Sequence, residues 1–293
     1  MAFLAVYVIW GSTYLAIRFV IESIPPFFMA GTRFMLAGAI LYVWARMRGA
    51  SGESKHHWVS AFVVGGFMLL GGHGAVVWAE QWVPSSLVSL LIATVPLWIV
   101  FVDWLRGGSR PSLRIVGGLV LGLLGVVLLV GSLEDLGGNS VGLVGGVVVV
   151  FGAFLWANGS LYSRSAKLPS SPLLGTGMEM IGGGVLLLLA SLVTGEWTRL
   201  RLDQVSIRSM ISWIYLVVFG ALIAFTCYIW LLRVVSPSRV STYAYVNPIV
   251  AMFLGWALAS ETLTSRNIVA TIIILTSVVV ITTYHVQEKV GKK

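Results

Sequence analysis

The chain contains two copies of one sequence pattern. When the sequence is shifted by 152 residues, the segment 78–104 aligns with 230–256 without a gap, and eight of those 27 positions are identical. Nearer the amino terminus a shift of 146 residues gives the better alignment and pairs Trp10 with Trp156. A longer loop in the second copy would produce this difference. Internal duplication of this kind is found in many secondary transporters, where the substrate site lies between the copies.

The composition places these copies in a lipid bilayer. Of the residues, 58% are hydrophobic and only 10% are charged, whereas soluble domains carry about 25% charge. Apolar runs of roughly 20 residues, separated by charged, Pro, Gly or Ser breaks, predict ten membrane helices. These are 2–21, 26–44, 58–79, 85–105, 113–131, 141–162, 172–193, 210–232, 239–259 and 267–284. The longest loop, near 195–209, is too short for a folded domain, so the fold class is an all-α integral membrane bundle.

Basic residues indicate how the helices are oriented. Thirteen of the 19 Lys and Arg fall in loops on the side of the amino terminus and five fall on the other side, which predicts that both termini are cytoplasmic. Five helices per copy is an odd number, so the copies 1–135 and 136–293 are expected to cross the membrane in opposite senses, as inverted repeats. The net charge of +8 then reflects topology and not a nucleic-acid partner.

Several other classes of protein lack support in the sequence. The first apolar run starts at Ala2 without a basic region or cleavage site and is interpreted as a retained helix. The single cysteine, Cys227, excludes an internal disulfide and a cysteine metal cluster. No phosphate-binding loop, HExxH or GxSxG motif occurs, so ATP-driven pumping, an enzyme, a metal and a cofactor are not expected. Glycines at GxxxG spacing favour packing within one chain, so we expect a monomer rather than a dimer.

Two prolines occupy matching interior positions of the fourth and ninth predicted helices. Pro96 and Pro248 each lack an amide hydrogen, so both helices should kink there. In a membrane such a break persists where the bundle or a water-filled cavity satisfies the freed carbonyl groups. The kinks could serve helix packing alone, but their recurrence in both copies favours a hinge or cavity-lining role.

Aromatic side chains lie at mid-membrane depth in the first and sixth predicted helices. Trp10 is roughly 13 Å into its helix, near the middle of a ~30 Å core, and Trp156 is similarly deep. Tryptophan prefers the headgroup region, so this pair either fills the core or offers aromatic faces to a substrate. Thr13 and Tyr14 share the Trp10 face at helical spacing.

Three more polar side chains are candidates for the same substrate site. Tyr243 and Asn247 are an i,i+4 pair just before Pro248, and their hydroxyl and amide groups need partners from another helix or from a ligand. His73, in the third predicted helix, is the only histidine deep in the predicted membrane region. It either bonds to a neighbouring hydroxyl group or handles substrate or protons.

Two charged residues inside the predicted helices occupy matching positions. Arg33 and Glu179 each lie seven residues past a matching proline, Pro26 or Pro172. An intramembrane charge costs about 2.5–3.5 kcal/mol on insertion scales and is a functional candidate by default. Inversion would separate the two in depth by roughly 10 Å, so a direct ion pair is not expected. Glu179 could carry a coupling proton, although a hydrogen-bonded structural carboxylate is the preferred interpretation.

Five short motifs, in order along the chain, resemble those of the EamA branch of the drug/metabolite transporter superfamily. They are Trp10-Gly11-Ser12-Thr13-Tyr14, the stretch from Pro25-Pro26 to Arg33-Phe34, Trp78-Ala79-Glu80-Gln81 followed by Pro84-Ser85, Tyr245-Val246-Asn247-Pro248, and Glu261-Thr262-Leu263. The resemblance implies a basket-like bundle of ten helices around a central cavity, with helices five and ten at the periphery. Arg33 and Glu179 then lie on helices two and seven, farther from the cavity centre, as gating or structural residues.

Within that branch the sequence resembles bacterial exporters of amino acids, including the aromatic amino acid exporter type. The resemblance implies a secondary exporter in the cell inner membrane, working by alternating access. The expected substrate is a small zwitterionic or amphipathic metabolite, bound between Trp10 and Trp156 with hydrogen bonds from His73, Tyr243 and Asn247. A multidrug or other metabolite carrier and a passive small-solute channel are the alternatives.

Overall fold

All regular secondary structure in the described part of the computed structural model is helical. The structure describes residues 1–51, 54–108, 110–130 and 140–259, together with 265–280 except 267, 271, 274 and 278. The expected boundary between the copies at 135/136, the motif residue Glu261 and the end of the tenth predicted helix lie outside these residues. Within them, the prediction of an all-α chain is confirmed.

Where the connections between helices lie within the described residues, they are short. In the first copy they are α1 (Ala2–Ile21), α2 (Pro26–Met47), α3 (Lys55–Gly65), π1 (Gly66–His73), α4 (Gly74–Ala79), α5 (Ser85–Ile92), α6 (Val95–Leu105) and α7 (Leu113–Val130). In the second copy they are α8 (Ser140–Ser165), α9 (Pro172–Val193), α10 (Glu196–Arg199), α11 (Ile207–Tyr215), π2 (Leu216–Phe225), α12 (Thr226–Val234), α13 (Pro237–Val240) and α14 (Tyr243–Ala259). The π-helical segments π1 and π2 continue the α-helices on either side, so each lies within one long helix.

Seven helical stretches in the described residues are long and apolar enough to cross a membrane. They are Ala2–Ile21, Pro26–Met47, Lys55–Ala79, Leu87–Leu105, Gly142–Ser165, Pro172–Val193 and Ile207–Val234. Two shorter apolar helices, Leu113–Gly125 and Ile268–Ser277, and the interrupted helix that contains α14 lie at three further predicted spans. The number ten therefore stays a prediction.

Helix starts differ from the predicted ones where a serine caps the helix earlier. α3 starts at Lys55, three residues before the predicted start, because Ser54 and His57 form reciprocal side-chain to backbone hydrogen bonds. α11 likewise starts at Ile207, behind Ser206, whose hydroxyl oxygen accepts a hydrogen bond from the Ser209 amide. Each cap satisfies an amide group that the first helical turn leaves unpaired.

The two copies meet where α2 crosses α9, and glycines allow the close approach. A Cβ atom on Gly38 would lie 2.8 Å from the Gly177 carbonyl oxygen, and one on Gly184 would lie 3.1 Å from the Gly31 carbonyl oxygen. Residue numbers rise along α2 as they fall along α9, so the helices run antiparallel. Because Gly31 matches Gly177 and Gly38 matches Gly184 in the repeat, the two contacts are equivalent.

The helices that contain the two matching prolines are interrupted at different places. The first breaks at residues 93–94, directly before the turn of α6 that holds Pro96. In the second, α14 continues through Pro248, and the interruption lies at 241–242. The Thr242 hydroxyl donates to a backbone carbonyl oxygen three residues earlier at 2.7 Å, and so satisfies a group freed by the break. The helix is therefore not interrupted at Pro248 itself, and the kink expected there stays a prediction.

Candidate functional site

A small cavity of about 60 Å³ lies between the helices of both copies. Its wall takes side chains from α1, α2, π1, α4, α5, α6, α8, π2 and α14. All seven candidates for substrate binding contribute to it, namely Trp10, Thr13, Tyr14, His73, Trp156, Tyr243 and Asn247. The two prolines and the two intramembrane charges considered above are not among the lining residues. The structure therefore brings the seven candidates together around one space.

The two repeat-related tryptophans meet at this cavity. The ring centroids of Trp10 and Trp156 are 5.5 Å apart and the ring planes are at 80°, an edge-to-face arrangement typical of aromatic pairs. The rings of Tyr228 and Tyr243 each have their centroid 4.9 Å from that of Trp10. Trp10 and Trp156 are only 8% and 9% exposed. They therefore belong to the packed core and also form the cavity wall.

The indole N–H groups of the two tryptophans are held differently. Trp10 Nε1 donates to the Gly220 carbonyl oxygen at 3.1 Å, whereas Trp156 Nε1 donates to the Tyr228 hydroxyl oxygen at 3.0 Å. That hydroxyl oxygen is also 2.7 Å from Ser160 Oγ. Since both N–H groups are already bonded within the protein, the two indoles can contact a ligand only through their ring surfaces.

Two π-helical segments border the cavity, and neither was predicted from the sequence. Under the 152-residue shift, π1 maps onto residues 218–225, which lie within π2. π-Helices are rare and often occur at functional sites. Each segment ends on a residue of the cavity wall, His73 in π1 and Phe225 in π2. All other residues of both segments are apolar or glycine, so hydropathy cannot distinguish them from α-helix.

The amide group of Asn247 is used by the protein itself. With its side-chain nitrogen directed toward the backbone, it donates to the carbonyl oxygens of Tyr243 at 3.0 Å and of Tyr7 at 3.1 Å. The Tyr14 hydroxyl interacts with the same side chain. Of the two partners considered from the sequence, another helix and a ligand, the first is therefore present. Asn247 joins α14 to α1 at the edge of the cavity.

Arg33 is the partner of His73 and lies directly behind the cavity wall. Its Nη1 is 3.4 Å from His73 Nε2, and its guanidinium carbon is 4.5 Å from the centroid of the Phe34 ring. Both His73 and Phe34 line the cavity. The sequence suggested a hydroxyl partner for His73 and placed Arg33 farther from the cavity. In the structure only the His73 side chain separates the Arg33 guanidinium group from the cavity.

Glu179 lies away from the cavity. It is fully buried, and neither carboxylate oxygen has a hydrogen-bond partner among the described residues. The hydrogen-bonded carboxylate preferred from the sequence is therefore not observed in this part of the chain. Arg233 at the end of α12 is the opposite charge that acts on it. Neither oxygen of Glu179 is bonded to Arg33, which agrees with the depth argument against a direct ion pair.

A second buried carboxylate, Glu80, was missed by the sequence reasoning. It lies just past α4 and is 1% exposed, and within the described chain its oxygens have no hydrogen-bond partner. Arg18 near the end of α1 and Tyr14 in the cavity wall are close enough to interact with it electrostatically. Glu80 lies one residue beyond the predicted helix 58–79, so the argument from intramembrane charge did not reach it.

Known proteins resemble this chain over nearly its whole length. The model of the EamA-like transporter family matches residues 1–131 and 143–283. The uncharacterized inner membrane transporter YedA of Escherichia coli (strain K12) is 38% identical over 283 residues, which cover 96% of this chain and 89% of YedA. The uncharacterized transporter YoaV of Bacillus subtilis (strain 168) is 24% identical, with 92% of each chain covered.

More distant relatives show the same coverage. Protein PecM of Dickeya dadantii (strain 3937) is 22% identical over 93% of this chain and 88% of its own length. A solved structure described only as the crystal structure of a protein matches with a TM-score of 0.77 at 20% identity, covering 97% of this chain and 96% of that one. At this identity the structural likeness shows the fold alone.

Proposed function

Because the chain belongs to the EamA-like transporter family of membrane transporters, we propose that it is a secondary exporter of amino acids with apolar or aromatic side chains. Transport proceeds by alternating access between two inverted five-helix copies. YedA and YoaV are described as transporters without a substrate. The substrate is therefore argued from the chemistry of the cavity.

The observation that carries this proposal is the convergence of both copies on one aromatic cavity. Trp10 comes from the first copy, whereas Trp156 and Tyr243 come from the second. Ligand sites are typically concave and mainly apolar, with a few polar groups that fix orientation. His73 and Asn247 are such groups here. A solute with an apolar or aromatic side chain and a small polar head matches this arrangement.

The crossing of α2 and α9 supports the inverted relation of the two copies. The repeat makes these helices equivalent, and they run antiparallel. The contact between Gly38 and Gly177 has its counterpart in the contact between Gly184 and Gly31. Helices related by a two-fold axis in the membrane plane would meet in this way, as they do in transporters built from inverted repeats.

The size of the cavity favours a carrier over an open channel. A volume of about 60 Å³ holds a few water molecules at most, whereas pockets for drug-sized ligands are about 300–1,000 Å³. An amino acid can therefore enter only after the helices of the wall move apart. We place this movement at π1, at π2 and at the interruptions 93–94 and 241–242, where the wall helices depart from regular α-helix.

YedA is described as an inner membrane transporter, and we place this chain in the same type of membrane. The basic loop residues predict that both termini face the cytoplasm. One chain supplies cavity residues from both of its copies. A monomer is therefore sufficient for the proposed transport cycle.

Counterflow in proteoliposomes tests the proposal. Labelled phenylalanine or threonine should exchange against the same unlabelled amino acid, and Trp156→Ala should lower the initial rate by about tenfold or more because an aromatic wall is lost. Trp104→Ala is the matched control, since Trp104 is 43% exposed on the outside of α6. Undiminished counterflow in Trp156→Ala would exclude the aromatic wall as a substrate site.

The same experiment separates the alternative functions. A channel gives a flux that does not saturate and shows no counterflow, whereas a carrier saturates. Exchange of bulky hydrophobic cations without exchange of amino acids would indicate a multidrug carrier. Each of these outcomes would contradict the proposed amino acid exporter.

A further inference from the structure

Arg33 is a buried cation without an acidic partner in the described chain. Its side chain is 3% exposed, and its contact with His73 is its only hydrogen bond from the side chain to another described residue. An arginine at the centre of a membrane helix costs about 2.5–3.5 kcal/mol on insertion scales and is usually paired or functional. No carboxylate in the described chain forms a hydrogen bond or an ion pair with this arginine to offset that cost.

The guanidinium group lies between the two π-helical segments, next to the cavity. Its Nη1 contacts His73 at the end of π1. On the side of π2, a Cβ atom added to Gly220 would lie 3.4 Å from Arg33 Nη2 and 3.2 Å from the Thr13 methyl group. Thr13 and His73 both line the cavity. The absence of a side chain at Gly220 therefore allows π2 to pack closely against both the guanidinium group and the cavity wall.

One edge of the guanidinium group has no hydrogen-bond partner in the described chain. Arginine has no acceptor, so in its contact with Nη1 the His73 Nε2 must accept, which leaves the proton of the neutral ring on Nδ1. The opposite edge, formed by Nε and Nη2, makes no hydrogen bond within the described chain, and Nε is buried without a partner. Two N–H groups on one edge of a guanidinium match the two oxygens of a carboxylate.

We infer that Arg33 binds the carboxylate of the transported solute when the cavity widens, and that His73 holds the guanidinium group in place. This inference rests on the proposed function and narrows it, because the solute must carry a carboxylate whereas an amino group is optional. No acidic residue is among the described residues that line the cavity. An ammonium group therefore meets no opposite charge among these residues, and the aromatic faces of Trp10 and Tyr243 bind cations only weakly.

The wild-type protein provides the first test, with probes that share a phenyl ring. L-Phenylalanine carries both charges, 3-phenylpropionate carries only the carboxylate and phenethylamine carries only the amine. Each is titrated against the purified protein in detergent while the midpoint of thermal unfolding is recorded. The two acids should stabilise the protein at concentrations about tenfold or more below those that phenethylamine requires. Binding of phenethylamine that equals or exceeds that of 3-phenylpropionate overturns the inference.

Substitutions of Arg33 test whether this residue causes the preference for 3-phenylpropionate over phenethylamine. Arg33→Gln should bind 3-phenylpropionate and phenethylamine alike, whereas Arg33→Lys keeps the charge without the two-pronged edge and should retain part of the preference. Glu179→Gln is the matched control, because it neutralises the repeat-related charge away from the cavity, and it should retain the full preference. An unchanged preference in Arg33→Gln overturns the inference. If Arg33→Gln does not fold, the comparison of the three probes on the wild-type protein and on Arg33→Lys still tests the inference.

A second pair of probes separates this site from the proposed function. Pentanoate and butylamine repeat the comparison without an aromatic ring. If pentanoate binds and the phenyl probes do not, the carboxylate site stands and the aromatic preference of the proposed exporter is wrong. If the phenyl probes bind regardless of their charge, the aromatic site stands and the role of Arg33 is wrong. Failure of every carboxylate probe to bind overturns the site.

Discussion

The helices α2 and α9 are equivalent in the two copies, yet the charges that they carry have different surroundings. Both helices start with a proline and have 22 residues, and in both the charge lies seven residues after that proline. Arg33 on α2 contacts His73 in the wall of the cavity. Glu179 on α9 is buried away from the cavity, and Arg233 is the opposite charge that acts on it.

The repeat thus preserves the length and the crossing of α2 and α9 but not the charge that each helix carries. Because α2 and α9 are antiparallel, their charges lie toward opposite ends of the bundle. One end has a cation beside the cavity. The other has a buried acid whose oxygens are unpaired in the described chain, near a cation that also has an unpaired Nη2 there. The two half-cycles of a carrier built in this way need not be equivalent.

The largest expected effect is a loss of folding when the crossing of α2 and α9 is disrupted. In Gly38→Val and in the repeat-related variant Gly184→Val, the new side chain would meet backbone atoms of the facing helix 2.8 Å from its Cβ. Backbone cannot move aside as a side chain can, so α2 and α9 must separate. Both variants should lose most of the monodisperse protein, to a similar extent, in fluorescence-detected size-exclusion chromatography.

A third glycine provides the control for this prediction. A Cβ atom on Gly117 in α7 would meet nothing within 4 Å, so Gly117→Val should give a normal yield. If only one of the two crossing variants fails to fold, the crossing is not symmetric, and the equivalence of α2 and α9 is limited to their sequences.

The second prediction concerns the two charges themselves. Arg33→Gln should lower counterflow by about tenfold or more, because a charge-assisted contact worth about 1.5–3 kcal/mol to the solute is lost. Glu179→Gln should stay within about threefold of the wild-type rate, since a neutral amide avoids the penalty of a buried charge and contacts no solute. A larger loss for Glu179→Gln than for Arg33→Gln would reverse the functional assignment of the two helices.

The third prediction compares how the paired tryptophans are held. Tyr228→Phe removes the hydroxyl group that accepts from Trp156 Nε1 and contacts Ser160. An unpaired buried N–H group costs about 1–3 kcal/mol, so the midpoint of thermal unfolding should fall and the affinity for phenylalanine should decrease. The N–H group of Trp10 donates to a backbone carbonyl oxygen, so no side-chain substitution removes its acceptor.

Ser160→Ala is the matched variant for this comparison. The Ser160 hydroxyl is 2.7 Å from the Trp156 carbonyl oxygen, which is a backbone group, and its loss leaves the Tyr228 hydroxyl still bonded to the indole. The effect of Ser160→Ala should therefore be smaller than that of Tyr228→Phe. Equal effects of the two variants would mean that the bond to the indole contributes little.

Features with a signal in hydropathy or in the repeat could be predicted from the sequence, and contacts between helices could not. Trp10 and Trp156 were identified because tryptophan is unusual at mid-membrane depth. The contact between Arg33 and His73 joins two helices whose mutual rotation is set by packing, which no local pattern records. The π-helical segments π1 and π2 were not predicted, because a change from α-helical to π-helical hydrogen bonding requires no change in residue type.

The smallest expected effect lies at the first turns of α2 and α9, which are capped in different ways. α9 uses its own Ser171, whose hydroxyl oxygen accepts from the Leu174 amide at 3.4 Å. α2 starts behind Pro25 without a side-chain cap of its own and is capped by Glu196 of the second copy. The Glu196 carboxylate oxygens accept from the backbone amides of Phe27 at 3.2 Å and Phe28 at 2.8 Å.

These hydrogen bonds connect the first copy to the second. The contribution of the Glu196 charge can be tested separately from that of its hydrogen bonds. Glu196→Gln keeps an acceptor but removes the charge that interacts favourably with the helix dipole, so it should cost about 0.3–1 kcal/mol of stability. Glu196→Ala also leaves two amide groups uncapped and should cost more, about 0.5–2 kcal/mol. Thermal unfolding of the purified variants measures both. A greater loss in Glu196→Gln than in Glu196→Ala would show that the carboxylate does not act as the cap of α2.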